Sequence, residues 1–250
     1  YVEAVLTVFM LLAGINFSLH YRLLRGEGAA WWKDGELRFY LAVFALFAGV
    51  GTVVLHGARA AAGLDWDGAL RQVAFTGASL MTTTGFATDD YDRWPLLLKP
   101  LLVLLMLLGG CAGSTAGGLK VGRIQVMLKA VVREIRLFMQ PQAVIPIKAG
   151  RKPLEDDVLL SILGFVLLYL FVLLLGVLAL VPFVPDCRTA FSAVVACLSN
   201  VGPGFAGVGP TQTYAGIPGA GQAILTALML VGRLELYTVL AIFMPAFWRK

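Results

Sequence analysis

Ser79–Pro95 reads SLMTTTGFATDDYDRWP: three successive threonines, a glycine and an aromatic, followed by an acidic stretch. β-Branched residues beside glycine end a helix rather than continue it. On either side the chain turns strongly apolar. Over 250 residues it is 59% hydrophobic and 14% charged, with a mean hydropathy of +0.83. Soluble domains are about 45–50% apolar and about 25% charged, so this composition is that of an integral membrane protein.

A spanning helix needs about 20 mostly apolar residues. Five runs meet that length: Val2–His20, Leu37–Leu55, Leu96–Gly118, Val158–Val181 and Gln222–Phe247. The first has Glu3 ahead of it and no basic leader, which reads as a span rather than a signal peptide. The absence of an initiating Met and a span beginning at residue 2 suggest a chain that opens partway through a larger protein. Basic residues concentrate in Arg22–Arg38, Lys120–Lys152 and the final Arg249-Lys250, which together hold 14 of the 20 Lys and Arg. With five alternating spans these segments share one side, and the positive-inside rule puts that side, and the C-terminus, in the cytoplasm. Topology therefore accounts for the basic loops without nucleic acid. Cys111, Cys187 and Cys197 follow no metal or disulfide spacing and read as packing residues. His20 and His56 fall at helix ends, where interfacial placement is the ordinary reading.

An internal repeat organises the rest. LRQVAFTGASLMTTTGF (70–86) aligns with CRTAFSAVVACLSNVGPGF (187–205) at an offset of 117, which takes Gly85 to Gly202 and Arg71 to Arg188. Each copy lies between two apolar runs. Each contains a helix-compatible stretch, about 67–81 and 186–198, that is too short to cross a bilayer and is re-entrant in this reading. Acidic residues stand ready to cap both N-termini: Asp65 and Asp67, then Asp186. The C-terminal ends, carrying partial negative charge, then point into the membrane interior and favour a cation. Irregular backbone at that depth is tolerated only where protein or water surrounds it. Carbonyls of Thr83, Thr84, Gly85 and Phe86, facing those of Asn200, Val201, Gly202 and Pro203, have the chemistry to replace an ion's water shell. Ordinary extracellular turns are the competing reading, since Gly, Pro and Asn are turn residues. Two strips, each after a short helix between spans, favour the ion filter.

Four motifs carry a resemblance: TTTGFATDDYDRWP (82–95), GGCAGSTAGGLKVGR (109–123), LSNVGPGFAGVGP (198–210) and LMLVGRLELYTVL (228–240). In this order they resemble the potassium-uptake transporters of the Trk/Ktr/HKT superfamily, nearest the bacterial TrkH/TrkG branch. The resemblance covers essentially the whole chain. It implies an all-α integral membrane fold of span–pore-loop–span repeats like a potassium channel, here five spans plus two re-entrant pore helices. It divides the chain into the last span of a preceding repeat (1–21), a cytoplasmic loop (22–36), a third repeat (37–139), a cytoplasmic linker (140–156) and a fourth repeat (157–250). The filter it implies, holding potassium as transported ion, is the same set of eight residues.

Five glycines among the ten residues 109–118 make a poor helix. Close helix packing explains some small residues in a span. The resemblance instead implies an intramembrane loop that gates the pathway, with Gly109, Gly110, Gly113, Ser114, Thr115, Gly117 and Gly118 as gating residues. A nucleotide P-loop is excluded because Lys120 lacks the GK[ST] context. Arg233, mid-span where a cation costs about 2.5–3.5 kcal/mol to insert, is implied to touch that loop, with Glu235 as a supporting partner. Lys120, Arg123, Lys129 and Arg133 then serve as membrane-surface anchors and a docking face.

The resemblance further implies potassium entry driven by membrane potential, residence in a bacterial inner membrane, a homodimer, and a cytosolic ring of TrkA-like nucleotide-binding subunits. This chain itself has no nucleotide-binding motif. A sodium-selective or sodium/proton-coupled transporter of the same superfamily is the alternative. A membrane-embedded enzyme is a distant one: Arg233 and Glu235 are the only charged residues placed deep in a span, and no catalytic constellation accompanies them.

Overall fold

The computed structural model describes residues 1–143, 145–149 and 152–248; Arg151, Arg249 and Lys250, counted above among the basic residues, lie outside that set. Among the described residues the regular structure is helical apart from a two-residue antiparallel pairing, β1 (Lys148–Ala149) with β2 (Lys152–Pro153). The helices in order are α1 (Val2–Ala13), α2 (Phe17–Leu24), α3 (Ala29–Lys33), α4 (Gly35–Arg59), α5 (Trp66–Met81) and α6 (Leu98–Leu108). Then follow α7 (Val121–Met139), α8 (Asp156–Leu180), α9 (Cys187–Leu198), α10 (Gly219–Arg233), α11 (Leu236–Phe243) and α12 (Pro245–Trp248).

Of the five apolar runs, two form unbroken membrane-length helices, α4 and α8, of 25 residues each. The other three are interrupted. Val2–His20 divides into α1 and α2, bent by 99° at Gly14–Asn16. Asn16 causes the restart: its side chain accepts the Ser18 N–H at 2.8 Å and caps α2. Gln222–Phe247 divides into α10 and α11 at 108°, where Glu235 takes a positive φ of 62°. Leu96–Gly118 is helical only to Leu108, because the glycine-rich stretch that follows forms a loop.

The half-length helices form where the sequence placed them. Asp65 caps α5 by accepting the Gly68 N–H at 2.9 Å, and Asp186 caps α9 by accepting the Thr189 N–H at 2.7 Å. With 16 and 12 residues, they extend about 24 and 18 Å at 1.5 Å per residue, short of a hydrocarbon core about 30 Å thick. Their burial shows where they sit. From Thr76 to Met81 and from Ser192 to Leu198 every residue is buried. The long helices, by contrast, leave Leu46, Val53, Leu167, Phe171, Leu174 and Leu178 exposed. A helix apolar on its outside and covering a shorter, enclosed helix is the pattern of a membrane bundle.

α5 packs against α4, α1 and α6, while α9 packs against α8, α10 and α6. Two cores result. One gathers Phe47, Val73, Leu80, Met81, Leu102 and Met106; the other gathers Phe165, Tyr169, Val194, Leu198, Leu225 and Leu228. Both histidines bond a carbonyl and an aromatic ring. His20 Nε2 lies 2.9 Å from the Leu12 carbonyl with its ring edge-on to Phe17 and Trp31. His56 Nδ1 lies 3.1 Å from the Leu64 carbonyl and its ring stacks on Trp66. Cys111 and Cys197 are buried and Cys187 is exposed; all three are free.

Candidate functional site

The C-terminal ends of α5 and α9 close with the same backbone geometry, residue for residue at the offset of 117. Thr82 N–H donates to the Ala78 carbonyl, Thr83 N–H to Leu80 and Thr84 N–H to Ser79. Ser199 N–H donates to Val195, Asn200 N–H to Cys197 and Val201 N–H to Ala196. Thr83 and Asn200 both adopt left-handed φ, 55° and 59°, and two residues on Gly85 and Gly202 are positive as well, 78° and 108°. This is a Schellman-type C-cap, but with Thr and Asn where glycine is usual. A β-branched residue in that region is strained, so the surroundings must hold Thr83 in place.

They do. The Thr83 hydroxyl accepts the Gly117 N–H at 2.8 Å. The Thr82 hydroxyl donates to the Ala78 carbonyl at 2.7 Å and meets the Thr84 hydroxyl at 2.8 Å. On the second strip, Asn200 Nδ2 donates to the Met229 carbonyl at 3.2 Å. Tyr214 donates to the Gly202 carbonyl at 2.6 Å, and Tyr169 bonds Ser199 at 2.8 Å. The two strips also touch each other. A Cβ built on Gly85 would lie 2.2 Å from the Val201 carbonyl oxygen and 3.1 Å from Pro203 Cδ. Thr84 and Phe86 are exposed, while Val201 is buried.

The loop Gly109–Gly118 lies against both strips. A Cβ on Gly117 would stand 2.2 Å from the Ser199 carbonyl oxygen, so only glycine fits there. The loop is sewn to the α1–α2 break as well: Cys111 N–H donates to Gly14 O at 2.9 Å, and Phe17 N–H donates to Gly113 O at 3.1 Å. Thr115 donates to Ala13 O through its backbone and its hydroxyl. Glu36, at the start of α4, accepts N–H groups from Ala112 at 2.7 Å and Gly122 at 3.1 Å.

Arg233 meets the loop, the contact the resemblance implied, with Nη1 donating to the Thr115 carbonyl at 3.1 Å. Glu235 does not support it. The Glu235 carboxylate pairs with Arg123 at 3.2 Å, and that guanidinium also covers the Phe165 ring at 3.8 Å. Glu235 stands at positive φ at the α10–α11 bend, and its partner Arg123 is on α7. Lys120, also at positive φ (72°), donates to the Ala116 carbonyl. Between loop and α10–α11 break lies a cavity of about 140 Å³, lined by Thr115, Gly117, Lys120, Arg123, Arg233 and Glu235. Three cations and one anion give it a net positive lining. Arg133, grouped with the surface anchors, pairs with Asp156 at 3.2 Å.

Sequence reasoning missed Glu36 and the Asp92 hub. Asp92 accepts from Lys99 at 3.3 Å, from Arg188, and from the Ala206 N–H at 3.3 Å, joining the segment after the first strip to the second. An acidic residue in the first turn of a helix ordinarily needs no more explanation than the helix dipole, so neither signal stands out in the chain.

The TrkH model, described as a cation transport protein, matches residues 1–250. The chain is 38% identical to the Trk system potassium uptake protein TrkH of Salmonella typhimurium over its full length. It is 37% identical to TrkH and 32% identical to TrkG of Escherichia coli K12. It covers 51%, 51% and 50% of those three proteins, so the chain spans about half the length of the curated relatives it matches. The crystal structure of the potassium transporter TrkH from Vibrio parahaemolyticus superposes with a TM-score of 0.91 at 34% identity, covering 99% of this chain and 53% of that one. A match across all 250 residues, on a fold that brings the glycine strips, the loop and Arg233 together, places the chain in the TrkH family of cation transport proteins.

Proposed function

We propose that this chain forms part of a potassium uptake pathway, with Thr83–Phe86 and Asn200–Pro203 as filter strips and Gly109–Gly118, held by Arg233, as the gate. One observation supports it above others: two helix C-termini with matching backbone geometry meet where Gly85 abuts the Val201 carbonyl. Carbonyls stiffened by bonds from the protein replace an ion's hydration, and helix ends aimed inward add partial negative charge. Potassium sheds water at the strips and is driven inward by about 2.3 kcal/mol per charge per 100 mV. The loop and the positive cavity beneath it oppose passage until they move. The relatives' names as Trk system potassium uptake proteins support potassium as the ion.

Two span–strip–span repeats supply two quarters of a ring in this reading, and the exposed Thr84 and Phe86 face the remaining quarters. The residues 37–139 and 157–250 constitute the two repeats, preceded by a last span at 1–21 and joined by the segment at 140–156. The basic loops face the cytoplasm of a bacterium, where a ring of nucleotide-binding subunits moves α7 and so the gate; two copies pair in the inner membrane. The test is cation uptake by the full-length protein in cells lacking their own potassium uptake. Rescue at limiting potassium, abolished by a bulky residue at Gly85, supports the reading; absence of rescue by a protein shown to reach the membrane overturns it.

A further inference from the structure

The loop is pinned from four directions, the α1–α2 break described above and three more. Of these three, Arg233 and Thr83 hold its second half, at Thr115 and Gly117. The third bridges its first half to the start of α7. A single oxygen, Glu36 Oε1, accepts the Ala112 N–H at 2.7 Å and the Gly122 N–H at 3.1 Å. Ala112 lies inside the loop, and Gly122 is in the first turn of α7, beyond it. The partners are 76 and 86 residues distant in the chain, so the fold, not local sequence, creates the bridge. A carboxylate accepting N–H bonds makes them charge-assisted, roughly twice as strong as neutral ones. The fit is close: a Cβ on Gly122 would stand 2.7 Å from Glu36 Oε1. Gln125 reinforces the same junction, its Nε2 donating to the Gly35 carbonyl at 3.1 Å.

We propose that Glu36 is a latch: a positioning residue on α4 that clamps both ends of the Ala112–Gly122 segment and must release for the gate to move. The proposal rests on the reading of Gly109–Gly118 as the gate. A carboxylate holding only one end would anchor the loop; holding both fixes the loop's span relative to α7. Rotation or withdrawal of α7, the helix that continues toward the basic cytoplasmic segment, must break the Gly122 bond. The Ala112 bond then stands alone on the same oxygen.

The test uses the full-length protein in membranes and reads Cys111, which adjoins Ala112 and is 1% exposed. N-ethylmaleimide alkylation is followed by peptide-resolved mass spectrometry, with Cys197, also 1% exposed but in α9, as internal reference. Glu36→Ala is expected to speed Cys111 alkylation by about tenfold or more, the equivalent of about 1.4 kcal/mol. Glu36→Gln, which keeps an acceptor and loses the charge, gives a smaller rise. Gly122→Ala, which displaces the carboxylate without removing it, gives a rise in the same direction. Cys197 stays at its wild-type rate in all three. In parallel, cation flux rises in Glu36→Ala while the preference among cations is unchanged, since the strips are untouched. An unchanged Cys111 rate in Glu36→Ala and Gly122→Ala overturns the latch, and so does a Cys197 rate that rises in step, because the fold as a whole has then loosened. The thiol measurement needs no transport. If the wild-type protein carries no cation, the gate reading falls while the clamp is still measured; if it carries cation and Cys111 does not respond, the latch alone falls.

Discussion

The Gly117 N–H donates to the Thr83 hydroxyl at 2.8 Å, joining the glycine-rich loop to the first strip across 34 residues of chain. This bond links the two elements proposed above as gate and filter, and it restrains a strained threonine at the same time. Thr83→Val keeps the shape and removes the acceptor. It leaves a part-buried N–H unsatisfied, at about 1–3 kcal/mol, and is expected to lower the unfolding midpoint in detergent. It also frees the loop from the strip, so flux through the full-length protein should rise. A lowered midpoint with flux unchanged would separate the loop from gating.

Arg233 contributes both a charge and a bond to the Thr115 carbonyl. Arg233→Lys retains the charge but loses the fixed fork of donors, whereas Arg233→Ala loses both. Flux is expected to increase in the order wild type, Lys, Ala. Measured as initial uptake of a potassium tracer at fixed membrane potential, equal fluxes in all three would remove Arg233 from the gate.

Asp92 ties Lys99, Arg188 and the Ala206 backbone together, with Tyr91 edge-on to Phe205 at 5.3 Å beside it. Asp92→Ala breaks all three contacts and leaves two cations without their shared anion. The expected result is a lower unfolding midpoint, about 1–3 kcal/mol less stability for a network left without its acceptor, and weakened ion discrimination as the two strips lose register. Thermal denaturation and uptake competition between potassium and sodium read the two effects separately.

Asp186 supplies a pH test. Its carboxylate accepts the Thr189 backbone N–H and the Thr189 hydroxyl, which hold its pKa below the ordinary 3.8. The ionised form is therefore favoured by folding. That contribution is complete above the unfolded value and fades as pH falls through the lower folded one. Asp186→Ala should lower the unfolding midpoint at neutral pH, and the gap from wild type should narrow below about pH 3.8. A gap independent of pH would show that the cap does not act through the carboxylate.

Much of this architecture was legible in the chain because it follows from short-range chemistry. The lengths of α5 and α9, their Asp65 and Asp186 caps and their ends at Thr82 and Ser199 all derive from neighbouring residues. The offset of 117 that aligns Gly85 with Gly202 also pairs Thr83 with Asn200, and the structure gives both the same left-handed backbone, which the chain alone did not announce. What the chain concealed was made by long-range contact. Hydropathy averaged over a span's length cannot distinguish an unbroken span from one bent at Asn16 or Glu235, since each run passes as one span despite the polar residues at its break. Glu235 stood two residues from Arg233 and so invited a local pairing, but the bend gave it to Arg123 instead. Glu36 looked like any first-turn acid until the fold set Ala112 and Gly122 beside it.

Gly85 tests the central claim most directly. Its φ of 78° disfavours any side chain, and a Cβ there would press on the Val201 carbonyl at 2.2 Å. The decisive measurement is the relative uptake of potassium and sodium by the full-length protein carrying Gly85→Ser, with thermal denaturation to show that it remains folded. A folded protein whose preference for potassium over sodium falls about tenfold, a change of about 1.4 kcal/mol, is the predicted result. A folded variant with the wild-type preference would contradict the account.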